Sequence, residues 1–159
     1  NRFKNINPDL ARGSNYNKGI HAAVMKNNAI AVKRVLWRYP ELLHHNIEDG
    51  GTIAHLAARF AKKEVMLEIL GLFALYYQYR KPLDNDDEGR SPLHLATLEG
   101  RVDIVKELMI RGASPHTKDS CGHTPINYAE RYKHDEIFNL LMTYKKHFSK
   151  IPKYTLNPL

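Results

Sequence analysis

The chain is poor in the residues that staple a protein together or thread it through a membrane. A single cysteine, Cys121, stands among 159 residues, so an internal disulfide is excluded and stability must come from packing. This usage fits a reducing compartment, and an intracellular, cytoplasmic location is expected, with the nucleus or a host-cell cytosol also compatible. No apolar run approaches the roughly 18 residues that a membrane-spanning helix needs. The longest candidate, Ile69 to Tyr77, is soon followed by Arg80 and Lys81. Neither a secretory signal nor an initiator methionine opens the sequence, which begins at Asn1, and a piece of a longer protein is expected. A glycine-rich phosphate loop, an H-E-x-x-H helix and a G-x-S-x-G elbow are also missing. The expectation is therefore a chain that is not an enzyme and that takes no cofactor, metal or small-molecule substrate.

What is present is ordinary for a folded domain. Hydrophobic residues make up 43% and charged residues 26%, close to ordinary globular usage, which suggests neither disorder nor a membrane protein. The net charge of +7 raises nucleic acid and anionic surfaces as partners. Its distribution weakens both. Arg2, Lys4 and Arg12 crowd one end and Lys145, Lys146, Lys150 and Lys153 the other, while Glu48-Asp49 and Asp86-Asp87-Glu88 form acidic spots between.

The sequence repeats. Aligned on histidine, Gly50-Gly51-Thr52-Ile53-Ala54-His55-Leu56-Ala57 matches Gly89-Arg90-Ser91-Pro92-Leu93-His94-Leu95-Ala96, with Gly122-His123-Thr124-Pro125-Ile126-Asn127-Tyr128-Ala129 after them and Lys18-Gly19-Ile20-His21-Ala22-Ala23 before. The anchors His21, His55, His94 and Asn127 are spaced 34, 39 and 33 residues apart. Downstream, Ala31-Val32 with Val35-Leu36, Val65-Met66 with Ile69-Leu70, Ile104-Val105 with Leu108-Met109 and Ile137-Phe138 with Leu141-Met142 each mark one apolar face of a second helix. Each unit is a turn, a short helix, a turn and a longer helix.

On these residues the chain resembles the ankyrin-repeat family, whose unit is a β-turn and two antiparallel helices with a T-P-L-H-x-A signature. The implied fold is all-α, a solenoid of helix-turn-helix units joined by β-turn fingers. Residues 1-14 read as an N-terminal extension and 15-144 as four repeats, at about 15-46, 47-85, 86-118 and 119-144. Residues 145-159 read as a basic tail. Ser91, Thr52 and Thr124 are suited to cap first helices, and Pro92 and Pro125 to occupy their first positions. Gly112 suits a left-handed C-cap, and Ala57, Ala96 and Ala129 let neighbouring repeats approach. The first repeat departs from the signature with Lys18-Gly19, the second with Ile53 and the fourth with Asn127. The long second spacing predicts an extended helix through residues 71 to 81 and a longer finger from Pro82 to Glu88.

The recurring histidines fall on successive repeats rather than around one point, so they are expected to be structural. His116, Cys121 and His123 cluster near one turn but lack the paired spacing of a zinc site. His44-His45 and the acidic pair Asp86-Asp87 are expected to be solvated. The resemblance implies that partners touch the concave face of first helices, here Met25, Lys26, Arg59, Phe60, Leu98, Glu99, Arg131 and Tyr132. It also implicates the fingertips, Asn15, Asn17, Glu48, Asp49, Gly51, Asp87, Glu88, Arg90, Ser120, Cys121 and His123. Large apolar and aromatic residues beside cations are the composition of interface centres. A rival surface is the aromatic stripe Phe73, Tyr76, Tyr77 and Tyr79, three of which share a helical face. The function expected is that of a monomeric, non-catalytic scaffold for a protein partner. Two alternatives are a recruiting module of a larger enzyme or host-directed pathogen effector, and an anionic lipid or nucleic-acid binder acting through the tail.

Overall fold

Three first helices start where a hydroxyl and a polar side chain three residues on can satisfy each other's backbone. The computed structural model describes residues 14–47, 50–77 and 83–147, with side chains between 18 and 143 of these. In it, α3 (Ile53–Phe60), α5 (Pro92–Leu98) and α7 (Pro125–Arg131) begin after Thr52, Ser91 and Thr124. His94 Nδ1 accepts the Ser91 N–H at 3.0 Å, and Asn127 Oδ1 accepts the Thr124 N–H at 2.9 Å. Thr52 and His55 repeat the arrangement at 3.0 Å, so Ile53 in place of proline leaves the cap intact and is itself fully buried.

The second helices are α2 (Ala29–Arg38), α4 (Lys63–Tyr77), α6 (Val102–Ile110) and α8 (Asp135–His147). The first repeat differs from its expected form. Its first helix, α1, runs Ser14–Met25, so Lys18-Gly19 lies inside a helix rather than at its start. No proline stands there to hold the first turn, and the helix extends upstream. A 3₁₀ turn, Pro40–Leu43, follows α2.

The helices form two layers. First helices α1, α3, α5 and α7 lie side by side in one and second helices α2, α4, α6 and α8 in the other. Between them Val32, Leu36, Val65, Met66, Ile69, Ile104, Leu108, Ile137 and Leu141 are buried. Ala57, Ala96 and Ala129 are fully buried where neighbouring first helices meet. Among the described residues there is no strand, and no helix is long and apolar enough to cross a membrane.

Among the described residues, the fingers of repeats two, three and four are hydrogen-bonded turns with glycine at one recurring position, whereas Asn15 and Asn17 lie within α1. Asp86 N–H donates to Arg90 O at 2.9 Å, Asp119 N–H to His123 O at 2.9 Å and Ile47 N–H to Gly51 O at 2.7 Å. Gly50, Gly89 and Gly122 each take a positive φ there. Fingers also bond to each other, Asp87 N–H to Gly50 O at 2.8 Å and Ser120 N–H to Glu88 O at 2.9 Å. Gly112 ends α6 at φ +89°, as expected.

The histidines complete this ladder. His55 Nε2–H donates to Arg90 O at 2.7 Å and His94 Nε2–H to His123 O at 2.9 Å. Since Nδ1 of each accepts a backbone N–H, each ring must be neutral to make all its bonds. Desolvation by burial lowers the pKa of both histidines from 6.5, outweighing the raising effect of the carbonyl each bonds. In the unfolded chain they titrate near 6.5.

A depressed histidine pKa means the unfolded chain binds more protons between the folded value and about 6.5, so stability is fully present above that range and lost as pH falls through it. The urea midpoint is therefore expected to fall between pH 7.5 and 5.5. His94→Asn, which imitates repeat four, is expected to cost about 1–3 kcal/mol at pH 7.5 by leaving the His123 carbonyl without its bond, and to flatten the acid-side slope. Urea titrations of both proteins at the two pH values check this.

Candidate functional site

The inner face is built from the C-terminal ends of the first helices. Phe60 ends α3 and is 46% exposed, and Tyr132 caps α7 with the same 46% exposure. Met25, at the end of α1, is also exposed. The short helices α3 and α7 stop after two turns and leave Phe60 and Tyr132 outside the core. Beside Phe60, the Arg59 guanidinium lies over the ring at 4.7 Å, and Arg59 Nε donates to Glu99 of the next repeat at 3.2 Å. One apolar ring, one cation and one anion are thus held together across two repeats.

A shallow pocket opens at this point. Phe60, Arg59, Leu56 and His55 line it from α3, Leu95 from α5 and Asp86 and Arg90 from the finger. The structure therefore brings five of the expected residues, Arg59, Phe60, Glu99, Arg90 and Gly51, to one junction between repeats two and three. Tyr132 lies at the far repeat, its ring edge-on to Tyr128 at 6.1 Å. Tyr128 in turn packs on His94 at 5.0 Å and donates its hydroxyl to Asp119 at 2.7 Å. Burial, then the bond to the Asp119 carboxylate, raises the Tyr128 pKa far above the usual phenol value. Lys26 and Arg131 are exposed along the same face.

Several expected contacts have other duties. Leu98 is half-buried and packs against the core, because the apolar side of α5 reaches its last turn. Arg90 donates to Asp86 at 2.8 Å and pairs with Glu88 at 3.4 Å, so its charge is already matched within the finger. Asp86 is not solvated as expected. Its side chain is 4% exposed, and Oδ1 accepts the N–H groups of Glu88 and Arg90 at 3.0 and 2.7 Å. Asp119 does the same work in the next finger for Cys121 and His123. The recurrence of aspartate eight residues before His94 and Asn127 was the available sequence signal. His123 contributes its carbonyl to His94, and Asp87, Glu88 and Cys121 remain exposed fingertip groups.

The aromatic stripe divides. Phe73 is only 6% exposed and is therefore core, packed with Tyr77 at 5.0 Å and against His44 at 5.4 Å. His44, expected in solvent, is instead wedged between these rings and bonds through Nδ1 to the Asp84 carboxylate. That contact ties the long segment after α4 back to the end of repeat one. Tyr76 faces elsewhere, edge-on to Trp37 at 6.3 Å. Tyr79, Glu48, Asp49 and most of the basic tail lie outside the described residues, as do the side chains of Asn15 and Asn17.

Comparison with known proteins matches the ankyrin-repeat family model, described as ankyrin repeats (3 copies), over residues 20–119 and 80–154. The human ARF GTPase-activating protein GIT2 is 32% identical over 88 residues, 55% of this chain and 11% of its own length. The ankyrin repeat protein L371 of Acanthamoeba polyphaga mimivirus is 27% identical over 139 residues, 87% of this chain and 17% of its own. The tyrosine-protein kinase Shark of Drosophila melanogaster is 25% identical over 171 aligned positions, 90% of this chain and 18% of its own. The chain thus spans less than a fifth of each of these relatives.

Core and surface rings are expected to separate in stability. Phe73→Ala should cost about 3–5 kcal/mol, as removal of a buried phenylalanine does, whereas Phe60→Ala should cost about 1 kcal/mol or less. Urea unfolding of the two variants against the parent chain measures both.

Proposed function

The chain belongs to the ankyrin-repeat family, and from that premise we propose that it is a non-catalytic scaffold that binds a protein partner on its inner face and fingertips. Ankyrin repeats are protein-interaction modules, and the proposal adds where this one makes contact. The observation that carries it is the Phe60 junction: a half-exposed ring under the Arg59 guanidinium, with Arg59 held by Glu99 of the following repeat. A ring and a cation fixed before binding lose little ordering entropy when a partner arrives. Tyr132, braced by Tyr128, supplies a second anchor two repeats away from Phe60. The exposed Asp87 carboxylate at the fingertip favours a basic stretch on the partner.

A second reading is favoured by the shares of length given above. GIT2 and Shark are named as an enzyme regulator and a kinase, and this chain matches only 11% and 18% of each. Segments of this kind therefore occur inside larger proteins, where recruitment of a partner serves activity housed elsewhere. The inner-face site is the same in both readings, and the full-length reading frame separates them.

The test compares the intact chain with Phe60→Ala, Tyr132→Ala in affinity capture from cytosolic extract, followed by calorimetry on the retained protein. A partner held by the parent chain and weakened at least about tenfold by the double variant is expected, since interface anchors cost about 2 kcal/mol or more on truncation. A partner bound equally by a folded double variant overturns the site. The melting temperatures of both proteins establish that the fold is common to the two.

A further inference from the structure

The outer layer carries a patch that an inner-face partner leaves uncovered. On α2, Ile30, Arg34 and Trp37 stand at i, i+4 and i+7, which places them on one helical face, and all three are exposed. Trp37 is 58% exposed, although indoles are among the most buried side chains on average. From α4, Tyr76 sets its ring edge-on to Trp37 and donates its hydroxyl to the Trp37 carbonyl at 2.9 Å, and Leu75 beside it is exposed. Arg38 lies one position beyond Trp37, and Lys33 pairs with Glu68 of α4 at 3.8 Å. α2 contains no aspartate or glutamate and holds Lys33, Arg34 and Arg38, while α4 adds Lys63 against Glu64 and Glu68, so four cations face two anions on the two helices.

We infer that this α2–α4 face docks on an anionic membrane surface. Indole and phenol rings settle at the level of lipid headgroups, where one edge meets hydrocarbon and the other water. Arginine and lysine stems lie along apolar surface while their heads reach phosphates, and each cation near an anionic leaflet adds attraction. The positive charge of α2, and the cationic balance of α2 with α4, oppose a second copy of the chain as occupant and favour an anionic one. A bilayer meets the outward faces of second helices without needing a groove, which distinguishes it from an extended peptide. Because the first helices form the other layer, a protein on the inner face and a membrane on this one can be held at once.

Trp37 is the single tryptophan of the chain, so its fluorescence reports on this patch alone. The 159-residue chain is titrated with phosphatidylcholine vesicles containing about 30% phosphatidylserine, and with pure phosphatidylcholine vesicles. A blue shift of Trp37 emission with the first, absent with the second and abolished by about 0.5 M salt, is expected. Arg34→Glu with Leu75→Glu changes two exposed side chains and spares the reporter. It should keep the parent melting temperature and weaken vesicle binding at least about tenfold. Absence of a shift, an equal shift on neutral lipid or undiminished binding by the double variant overturns the proposal. So does co-sedimentation with vesicles while Trp37 emission stays unmoved, which places the contact elsewhere on the chain. A shift with polyglutamate and none with vesicles overturns it in favour of an acidic protein. Should the double variant not fold, the lipid and salt dependence of the parent chain decides.

Discussion

A neutral imidazole, hydrogen-bonded on both sides, sets the register of the stack. Through Nδ1 it caps its own helix, and through Nε2–H it holds the last carbonyl of the next finger, Arg90 O for His55 and His123 O for His94. One ring therefore fixes where a helix begins and where the following repeat sits. A second line of ties runs at the other end of the first helices. Arg101 donates to the carbonyls of Ala57 and Ala61, and His134 donates to that of Leu98 at 3.1 Å. With both ends of a helix bound to the next repeat, and alanines between, neighbouring repeats cannot rotate against each other without breaking these bonds. That rigidity is what keeps the side chains of the inner face in place before anything binds.

Most of this was legible because repetition multiplies weak signals. A lone Ser91-Pro92-Leu93-His94 states little, but its recurrence with apolar pairs ten to fifteen residues on identifies both helices of a unit and the positions that close the gaps. The N-terminus of α1 escaped because the alignment carried the Thr-Pro boundary onto Lys18-Gly19, where no proline enforces it. His44 escaped for a different reason. Its partners Phe73, Tyr77 and Asp84 come from a segment without a counterpart in the other repeats, so no periodicity pointed to them. The inner face was read only in part. Exposure at a helix end follows from position, which placed Phe60 and Tyr132, whereas the bond from Arg59 to Glu99 depends on how far apart two repeats sit. Asp86 was misjudged because charge suggests solvent, although its recurrence as Asp119 in the next repeat marks a structural position, and the turn geometry shows why: the carboxylate accepts the N–H groups that fold the finger.

The long spacing between repeats two and three shows how the stack admits an insertion. Loop length is thermodynamically inexpensive when the ends of the insert are fixed by other contacts. Here they are. Upstream of the insert, α4 extends to Tyr77, whose ring with Phe73 encloses His44. Downstream, Asp84 binds His44, and two residues later Asp86 begins a finger bonded to Gly50 and to His55 through Asp87 N–H and Arg90 O. Across this long spacing the first helices α3 and α5 keep the close packing seen between α5 and α7. The Arg59–Glu99 contact spans this same irregular junction undisturbed. The insertion lengthens α4, and the last turns of that longer helix carry Leu75 and Tyr76 to the outer surface beside Trp37. The departure from strict repetition therefore leaves the inner face as the repeat dictates and builds on the outer layer a surface that a regular array would lack.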